Sequence, residues 1–559
     1  MFRKTQNGSQ LNIFSSVSSM LQGSSYEQYS NDNAWHNMFR QQVLMRIDES
    51  IYKTLFAETM GAPNASVRIL LSMMVLKEAF GWSDSQLFER CRFDLLVRSA
   101  LGLFNINEPL PGESTYYLLR KRIHDYQRTS GKNLIEETFA TITRGQVLDF
   151  DVSGRSIRMD SKLIGSNISW YSRYELIHQT IGLFYQSLGA AAKSKINTFD
   201  TATLTDIIAE QGNKVVYRSN REEINTRLQT LGALMYQLVN LFSEADSIHY
   251  PTLKRVFNEQ FRMSETDQVS LRPKEEITSD SVQSPHDTDC SYRDKDGKKV
   301  KGYHYNLTET CDDGSLNLVT NVQVANASTP ENGFLQPSVE ETSRVLTHTP
   351  DNLHTDGAYN SQSNAAYCKD EQINFFLTGI QGAEGRYNLE LTPQGLLVTD
   401  TQTGESLMAS QTKTGTWRIK TDNNYRYFKE EQIEACRMRK QIAQLPSSIK
   451  NRRNNVEATI FHFCFFTRNN KTRYRGIIKQ TIWAHLRCLW INLVRIINHV
   501  GQICQRTCKM GEIIAQNAIF LLKIDSNTNF YESFSILTQI LYLFRMFLNN
   551  QPLRKINFS

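Results

Sequence analysis

The sequence predicts a multidomain α and α/β protein: an all-helical N-terminal domain, a mixed-sheet core with insertions, and a helical C-terminal region. Three observations carry this reading. A chain of 559 residues is too long for one ordinary core. Apolar residues recur at helical spacing as far as residue 145, and period-two alternation starts only beyond it. Hydrophobic residues at 40% and charged residues at 21% describe a chain that folds rather than a disordered one.

Residues 1–30, rich in Ser, Gln and Asn, are expected to form a flexible tail. Trp35, Phe39, Val43, Ile47, Ile51 and Leu55 then share one helical face, and Gly61-Ala62-Pro63 closes that helix. Val67 to Phe80 gives a second helix, and Ser83 caps a third that runs to Leu95. After the turn Pro109-Leu110-Pro111-Gly112, Ser114 caps a helix ending in Arg120-Lys121-Arg122, and Leu134 to Thr143 gives another. Residues 31–145 are therefore read as a helical domain, and the helix that ends in Arg120-Lys121-Arg122 after a tight turn, the kind of element that enters a major groove, makes it a candidate DNA-binding domain. Val147 to Arg155 and Ser156 to Asp160 alternate like two strands joined at Ser153-Gly154.

Helical periodicity returns over 163–285, ending in a polar linker from Ser264 to Asp289. Strands resume at Lys299 to Thr308 and Leu316 to Ala325 around the turn Asp312-Asp313-Gly314. A helix over Ser338 to Thr347, a short strand Asn352 to Thr355 and a helix Ser361 to Lys369 follow. Residues 373–436 form a strand-rich insertion, and the chain from Glu430 onward is largely helical. The core then comprises 146–162, 286–372 and 437–500, with 501–559 as a helical C-terminal extension.

From Arg437 to Lys509 fifteen Lys or Arg stand beside one acidic residue, Glu457. A stretch that basic needs a polyanion, which makes nucleic acid the expected partner. Nine cysteines without a framework spacing suit reduced thiols. Met1 to Gln22 lacks the apolar run of a signal peptide, and no stretch reaches the roughly 18 apolar residues of a membrane span. The nearest, Phe534 to Leu548, carries Gln539 and Arg545 and reads as an amphipathic helix. A cytoplasmic protein with no membrane partner is expected. The absence of a Walker-type glycine loop argues against a nucleotide cofactor.

Cutting a phosphodiester requires an activated oxygen nucleophile and stabilisation of the departing oxyanion, work done by two magnesium ions held by carboxylates. Asp160 ends the run Ser156-Ile157-Arg158-Met159, and Asp356 follows Asn352-Leu353-His354-Thr355 and precedes Gly357. Glu457 is the lone acid of the basic segment, with Arg453 four residues earlier on the same helical face. Taken singly, each acid reads as readily as a surface or capping residue.

Several stretches together resemble the DDE transposases of bacterial insertion sequences, most closely the insertion sequence eleven-eighty-two group. Arg98 to Leu103 and Pro111 to Arg122 resemble that family's N-terminal domain, and Arg158-Met159-Asp160-Ser161-Lys162 its first catalytic Asp. Ser284 to Asp289, leading through Lys298 to Tyr303 and on to Thr308-Glu309-Thr310-Cys311-Asp312, resembles its second and third core strands. Thr355-Asp356-Gly357-Ala358-Tyr359 resembles the second Asp. Asn455-Val456-Glu457-Ala458, Thr472 to Gly476 and Asn492-Leu493 resemble the C-terminal signature.

The resemblance implies an RNase H-like mixed-sheet core. Asp160, Asp356 and Glu457 would be its catalytic and metal residues, with two Mg2+ ions and Mn2+ as a substitute. It implies hydrolysis at the element's end, then attack of the freed 3′ hydroxyl on target DNA. Partners would be double-stranded DNA at the inverted repeats and target, a homodimer on DNA, and a bacterial nucleoid setting. Arg120, Lys121, Arg122, Arg453, Lys471, Arg473 and Arg475 would contact DNA. The alternatives are an RNase H-like nuclease without strand transfer, or a non-catalytic transposase-derived DNA-binding protein.

The chain departs from the family in places. Relatives carry Tyr seven residues before the Glu and Lys seven after it, where this chain has Lys450 and Cys464. Lys471, Arg473 and Arg475 are the candidates to replace that charge. Cys436 alone makes no zinc site near the Glu. His499, Cys504 and Cys508 read as packing residues rather than ligands. Asp287 and Asp289 rank below Asp356 because they precede the core strands. The aromatic run Phe461, Phe463, Phe465 and Phe466 reads as core rather than as a surface for stacking bases.

Overall fold

The computed structural model describes residues 1–4, 20–58, 63–198, 201–263, 268–380, 382, 384–413, 415–421 and 424–524. The expected helix end at Gly61-Ala62, most of the tail, the start of the polar linker and the expected Phe534–Leu548 helix fall outside these residues.

The N-terminal region is helical: α1 (Trp35–Gln42), α2 (Val67–Phe80), α3 (Asp84–Phe93), α4 (Leu95–Ala100), α5 (Glu113–Ser130) and α6 (Leu134–Asp149). Within the expected tail, Gly23–Ser30 is a helix. The expected single helix from Trp35 to Phe56 stops at Gln42 and continues as 3-10 turns, Leu44–Arg46 and Glu49–Leu55, the second capped by Asp48 on the Ser50 amide. Ser66 caps α2 and Gly81 ends it in the left-handed region. Ser83 and Gln86 form a capping box on α3.

The expected strand from Val147 to Arg155 is not formed. α6 runs on to Asp149 because Val147 is buried in the apolar core while the Gln146 side chain donates to the Gln42 carbonyl. Val147 and Phe150 are three residues apart, a spacing that serves a helix as well as it breaks alternation. Asp151 and Gly154, both at positive φ, then turn the chain into β1 (Ser156–Gly165).

Among the described residues the largest sheet has six strands. After β1 come β2 (Ser291–Lys295), β3 (Lys298–Thr310), β4 (Val319–Asn326), β5 (Asn352–Thr355) and β6 (Asn374–Leu377). The order is β2-β3-β1-β5-β6, with β4 also paired to β3. β1 and β3 are antiparallel from Ile157↔Thr310 to Gly165↔Gly302, while β1, β5 and β6 run parallel. Gly302 is required where the two strands meet, since a Cβ there would lie 2.2 Å from the Ile164 carbonyl oxygen.

α10 (Leu335–Leu346) packs on β4, and α11 (Gln362–Asp370) precedes β6. α12 (Glu430–Gln444), α13 (Ser447–Phe463) and the long α14 (Ile477–Ile524) follow. α13 lies against β1, and α14 crosses β4, α2 and α6. One apolar core therefore runs from Phe39, Leu70 and Phe139 through Ile157, Tyr305 and Val322 to Trp483 and Ile496.

The insertion between β1 and β2 has its own core. Ile177 and Phe184 of α7 (Arg173–Ser187) pack with Met235 and Leu238 of α8 (Arg221–Leu241) and with Val256 of α9 (Tyr250–Gln260). Its exit is no simple polar linker: Asp287 is buried and accepts hydrogen bonds from the hydroxyls of Tyr303, at 2.5 Å, and Ser166. The second insertion holds two small three-stranded sheets around Leu389, Leu396, Val398 and Ile419. No helix among the described residues is long and apolar enough to cross a membrane.

His354 on β5 is 2% exposed, stacks on Phe376 at 5.0 Å between centroids, and has neither ring nitrogen hydrogen-bonded. Burial, followed by the charges of Arg452 and Arg158, lowers its pKa to about 4. An unfolded chain takes up this proton first, so the stabilisation is complete above pH 6.5 and is lost as the pH falls toward 4. The stability at stake is about 3 kcal/mol, at 1.36 kcal/mol per pKa unit. His354→Leu should flatten the decline of Tm between pH 6.5 and 4 in thermal melts. Equal pH slopes in both proteins would show that His354 takes no part in acid unfolding.

Candidate functional site

β1 and β5 are adjacent and parallel, registered from Ser156↔Asn352 to Arg158↔His354. Two residues further along, this register sets Asp160 beside Asp356, where β5 has just ended. Asp160 is 7% exposed, and one carboxylate oxygen accepts from the Ser161 amide at 2.8 Å. Asp356 caps the helical turn Gly357–Tyr359 by accepting from the Ala358 amide at 2.9 Å. Gly357 is needed there because a Cβ would lie 2.5 Å from the Gly379 carbonyl oxygen. Glu457 stands on the outward side of α13 and is largely exposed.

Arg453 brings the three carboxylates together. Its Nη2 lies 2.9 Å from Asp160 Oδ2 and 3.8 Å from Asp356 Oδ2, and its Nη1 lies 3.2 Å from Glu457 Oε1. Burial pushes the Asp160 carboxyl above its usual range against the pull of Arg453, and neighbouring Asp356 pushes it in the same direction. A buried acid beside a half-buried one creates a demand for positive charge that the guanidinium meets.

Three carboxylates are the hard oxygen donors that magnesium prefers, so the donor set fits such an ion. As placed, they close on Arg453 and not on a shared point. Among the described residues no group of three His, Cys, Asp or Glu is set to hold a metal ion.

Sequence reasoning missed the group that fixes this site. Glu309 of β3 is fully buried and receives Arg158 Nε at 2.6 Å, Arg495 Nη2 at 2.6 Å and the Thr459 hydroxyl at 2.7 Å. Burial alone would push the Glu309 carboxyl up, but Arg495, Arg158 and Thr459 together hold it below the usual carboxylate range. Arg158 also donates to the Arg452 carbonyl at 2.7 Å. Arg158 is two residues before Asp160, and Thr459 two after Glu457. The available signal was a Glu inside an otherwise strand-forming run, Thr308-Glu309-Thr310, where an unpaired charge is costly. Nearby, both polar atoms of the Asn492 amide bind the backbone of Val319 at 2.8 Å, beside the irregularity in the β3–β4 ladder.

The expected DNA-contacting cations other than Arg453 are placed away from the three carboxylates, most on protein partners. Lys471 donates to the Ile168 carbonyl at 2.9 Å, Arg475 to that of Asn167 at 2.6 Å, and Arg473 to the Trp82 carbonyl at 2.5 Å and Glu78 at 3.1 Å. Arg120 pairs with Asp84 at 3.6 Å, and Arg122 lies over the Phe56 ring. Lys121 is exposed; with Arg120, His124, Lys479 and Trp483 it lines a cavity of about 350 Å³ between α5 and α14. His499 packs edge-on against Phe150; the side chain of Cys508 is outside the described residues.

The aromatic run divides differently from the expectation. Phe463 is fully buried, but Phe461 and Phe465 are 65% and 61% exposed and Phe466 is 43% exposed. Period decides this: Phe463 continues the buried face of Val456, Thr459 and Ile460, and Phe461 falls on the opposite side of the helix.

Residues 27–122 match the family model described as a transposase domain (DUF772), a span running from the Gly23–Ser30 helix into α5. No curated protein matches the chain. The chain is similar to the piggyBac transposase in a cryo-EM structure of its synaptic complex with hairpin DNA. That alignment spans 90% of this chain and 84% of the other at 9% identity and a TM-score of 0.29, a likeness too slight to bear on the fold.

Removing the acid at the centre of the ion network leaves the buried Arg158 and the half-buried Arg495 without their counter-charge, so Glu309→Gln should lower unfolding stability by about 3 kcal/mol. Urea denaturation checks this. A loss below about 1 kcal/mol, the scale of an exposed pair, would mean that Glu309 does not hold the elements together.

Proposed function

We propose that the chain is the transposase of a bacterial insertion sequence, binding its terminal inverted repeats, cleaving DNA and joining the 3′ ends to target DNA. The observation that carries this reading is the convergence of Asp160, Asp356 and Glu457, from three distant segments, on the Arg453 guanidinium. The sheet supports it. Strands β4, β3 and β1 are antiparallel neighbours and β5 and β6 continue in parallel, as an RNase H-like core requires, with β2 as an addition. The match of residues 27–122 to a transposase domain supports it from the other end of the chain.

Asp160, Asp356 and Glu457 are the residues that would hold two magnesium ions, or manganese in their place. Bound there, the ions would supply Lewis-acid activation of the attacking oxygen and stabilise the leaving one. The chain's own residues set the stage. Asp160 in the middle of β1 and Asp356 just past the end of the adjacent β5 are each fixed by a backbone amide, while Glu457 approaches from a helix anchored through Thr459. Arg453 neutralises the acids and is released to a DNA phosphate when that charge is otherwise met. Duplex DNA is the substrate, and a homodimer cutting two ends together is the working assembly. Lys121 is the exposed cation through which α5 would approach DNA.

Asp160→Asn, Asp356→Asn and Glu457→Gln should each reduce magnesium-dependent cleavage by several orders of magnitude while end binding stays within a few-fold, since phosphate contacts carry the affinity. A gel assay of cut and joined products checks this. Cleavage close to that of the unaltered protein in any one variant removes that residue from the site. Cut DNA without joined product would identify a nuclease rather than a transposase.

A further inference from the structure

Phe461 and Phe465 are large apolar side chains left mostly in water beside the candidate site. Arg453, Glu457 and Phe461 follow one another at intervals of four residues on one face of α13, and Phe465 lies in the turn that directly follows the helix. Each step advances about 6 Å along the axis, so the first phenyl ring stands one turn beyond the Glu457 carboxylate. The Phe461 and Phe465 centroids are 6.2 Å apart, and those of Phe465 and Phe466 are 5.1 Å apart, both edge-on. Phe466 anchors the row. It packs over Gly81, where a Cβ would come within 2.6 Å of its ring, and the Arg487 guanidinium lies 5.3 Å from its centroid.

The surroundings are cationic. No acidic residue occurs between Glu457 and Lys509, and Arg468 is exposed just beyond the row. Lys162 of β1, two residues after Asp160, acts electrostatically on the Cys464 thiol between the rings. Exposed aromatic rings in a basic, acid-free stretch of chain suit an unpaired nucleobase on a polyanionic strand, since every base has a face that can stack.

We propose that Phe461 and Phe465 form a stacking platform for unpaired bases of the DNA strand leaving the Asp160–Asp356–Glu457 site. This rests on the transposase reading and adds to it the kind of DNA the site receives, a frayed or single-stranded end rather than intact duplex. A base leaves the helix only at the expense of pairing and stacking, and the platform returns part of that stacking.

The test compares the full-length protein, the double variant Phe461→Ala/Phe465→Ala and the double variant Phe461→Trp/Phe465→Trp. Each is titrated with a blunt duplex and with the same duplex extended by a short unpaired 3′ tail containing 2-aminopurine. The unaltered protein should favour the tailed duplex and quench its fluorescence. The alanine variant should lose about tenfold in affinity for the tailed duplex while keeping its affinity for the blunt one, and the tryptophan variant should restore both quenching and preference. Both side chains are exposed, so the variants should fold; circular dichroism confirms it.

Equal preference and quenching in the alanine variant would overturn the platform while leaving the transposase reading intact. So would a change confined to oligomeric state in light scattering, which would make the rings a contact between copies. Failure of the unaltered protein to bind either duplex would overturn both.

Discussion

A carboxylate without access to water binds two guanidinium groups and a hydroxyl at the centre of the sheet, and the arrangement of the site follows from it. Glu309 draws Arg158 from β1, Thr459 from α13 and Arg495 from α14 to one point. Such a cluster is favourable only when complete, because Glu309 or Arg158 left alone would be a buried, unmatched charge. Its members therefore assemble together, which fixes the height and rotation of α13 against β1. Asp160 and Glu457 each lie two residues from a member of the cluster, so their approach is set by a contact behind them rather than by mutual attraction, which between carboxylates is absent.

Arg453 shows the same economy at the surface of the site. Two carboxylates side by side on neighbouring strands repel, and burial of Asp160 makes that repulsion harder to screen. A guanidinium on the next helix resolves the conflict by lending its planar array of donors to all three acids.

The three acids stood out in the sequence only through the resemblance, since taken singly each reads as a surface or capping residue. The strands near Lys299–Thr308, Leu316–Ala325 and Asn352–Thr355 were legible from their apolar runs and the turn between the first two. Asp287 and the far side of the ion network were not, since an acid in a strand looks alike whether it faces water or two arginines. Nor could composition tell which way a cation points. Lys471, Arg473 and Arg475 belong to the most basic stretch of the chain, yet they donate to Ile168, Glu78, Trp82 and Asn167 within the protein. The run through Phe461 and Phe466 was misread because local hydrophobicity outweighed phase, although the spacing to Val456 and Ile460 already placed Phe461 outside. The helix end at Asp149 was missed because a four-residue stretch cannot separate period two from period 3.6.

The hairpin formed by β1 and β3 is interrupted at its tip by the whole helical insertion, so Gly165 and Gly302 meet across a long span of chain. For an unstructured loop, the entropy of bringing those ends together would have to be lost before any ladder bond formed, and zipping would be slow. The insertion changes that sequence of events. Its own apolar core can condense first, drawing Ser166 and Asp287 to within hydrogen-bonding reach and leaving the two strands a short, pre-paired start. The central sheet, though the most non-local element of the protein, can then form at a rate governed by a local one. A lesion in the insertion would therefore register as delayed appearance of folded protein during synthesis rather than as an altered finished structure.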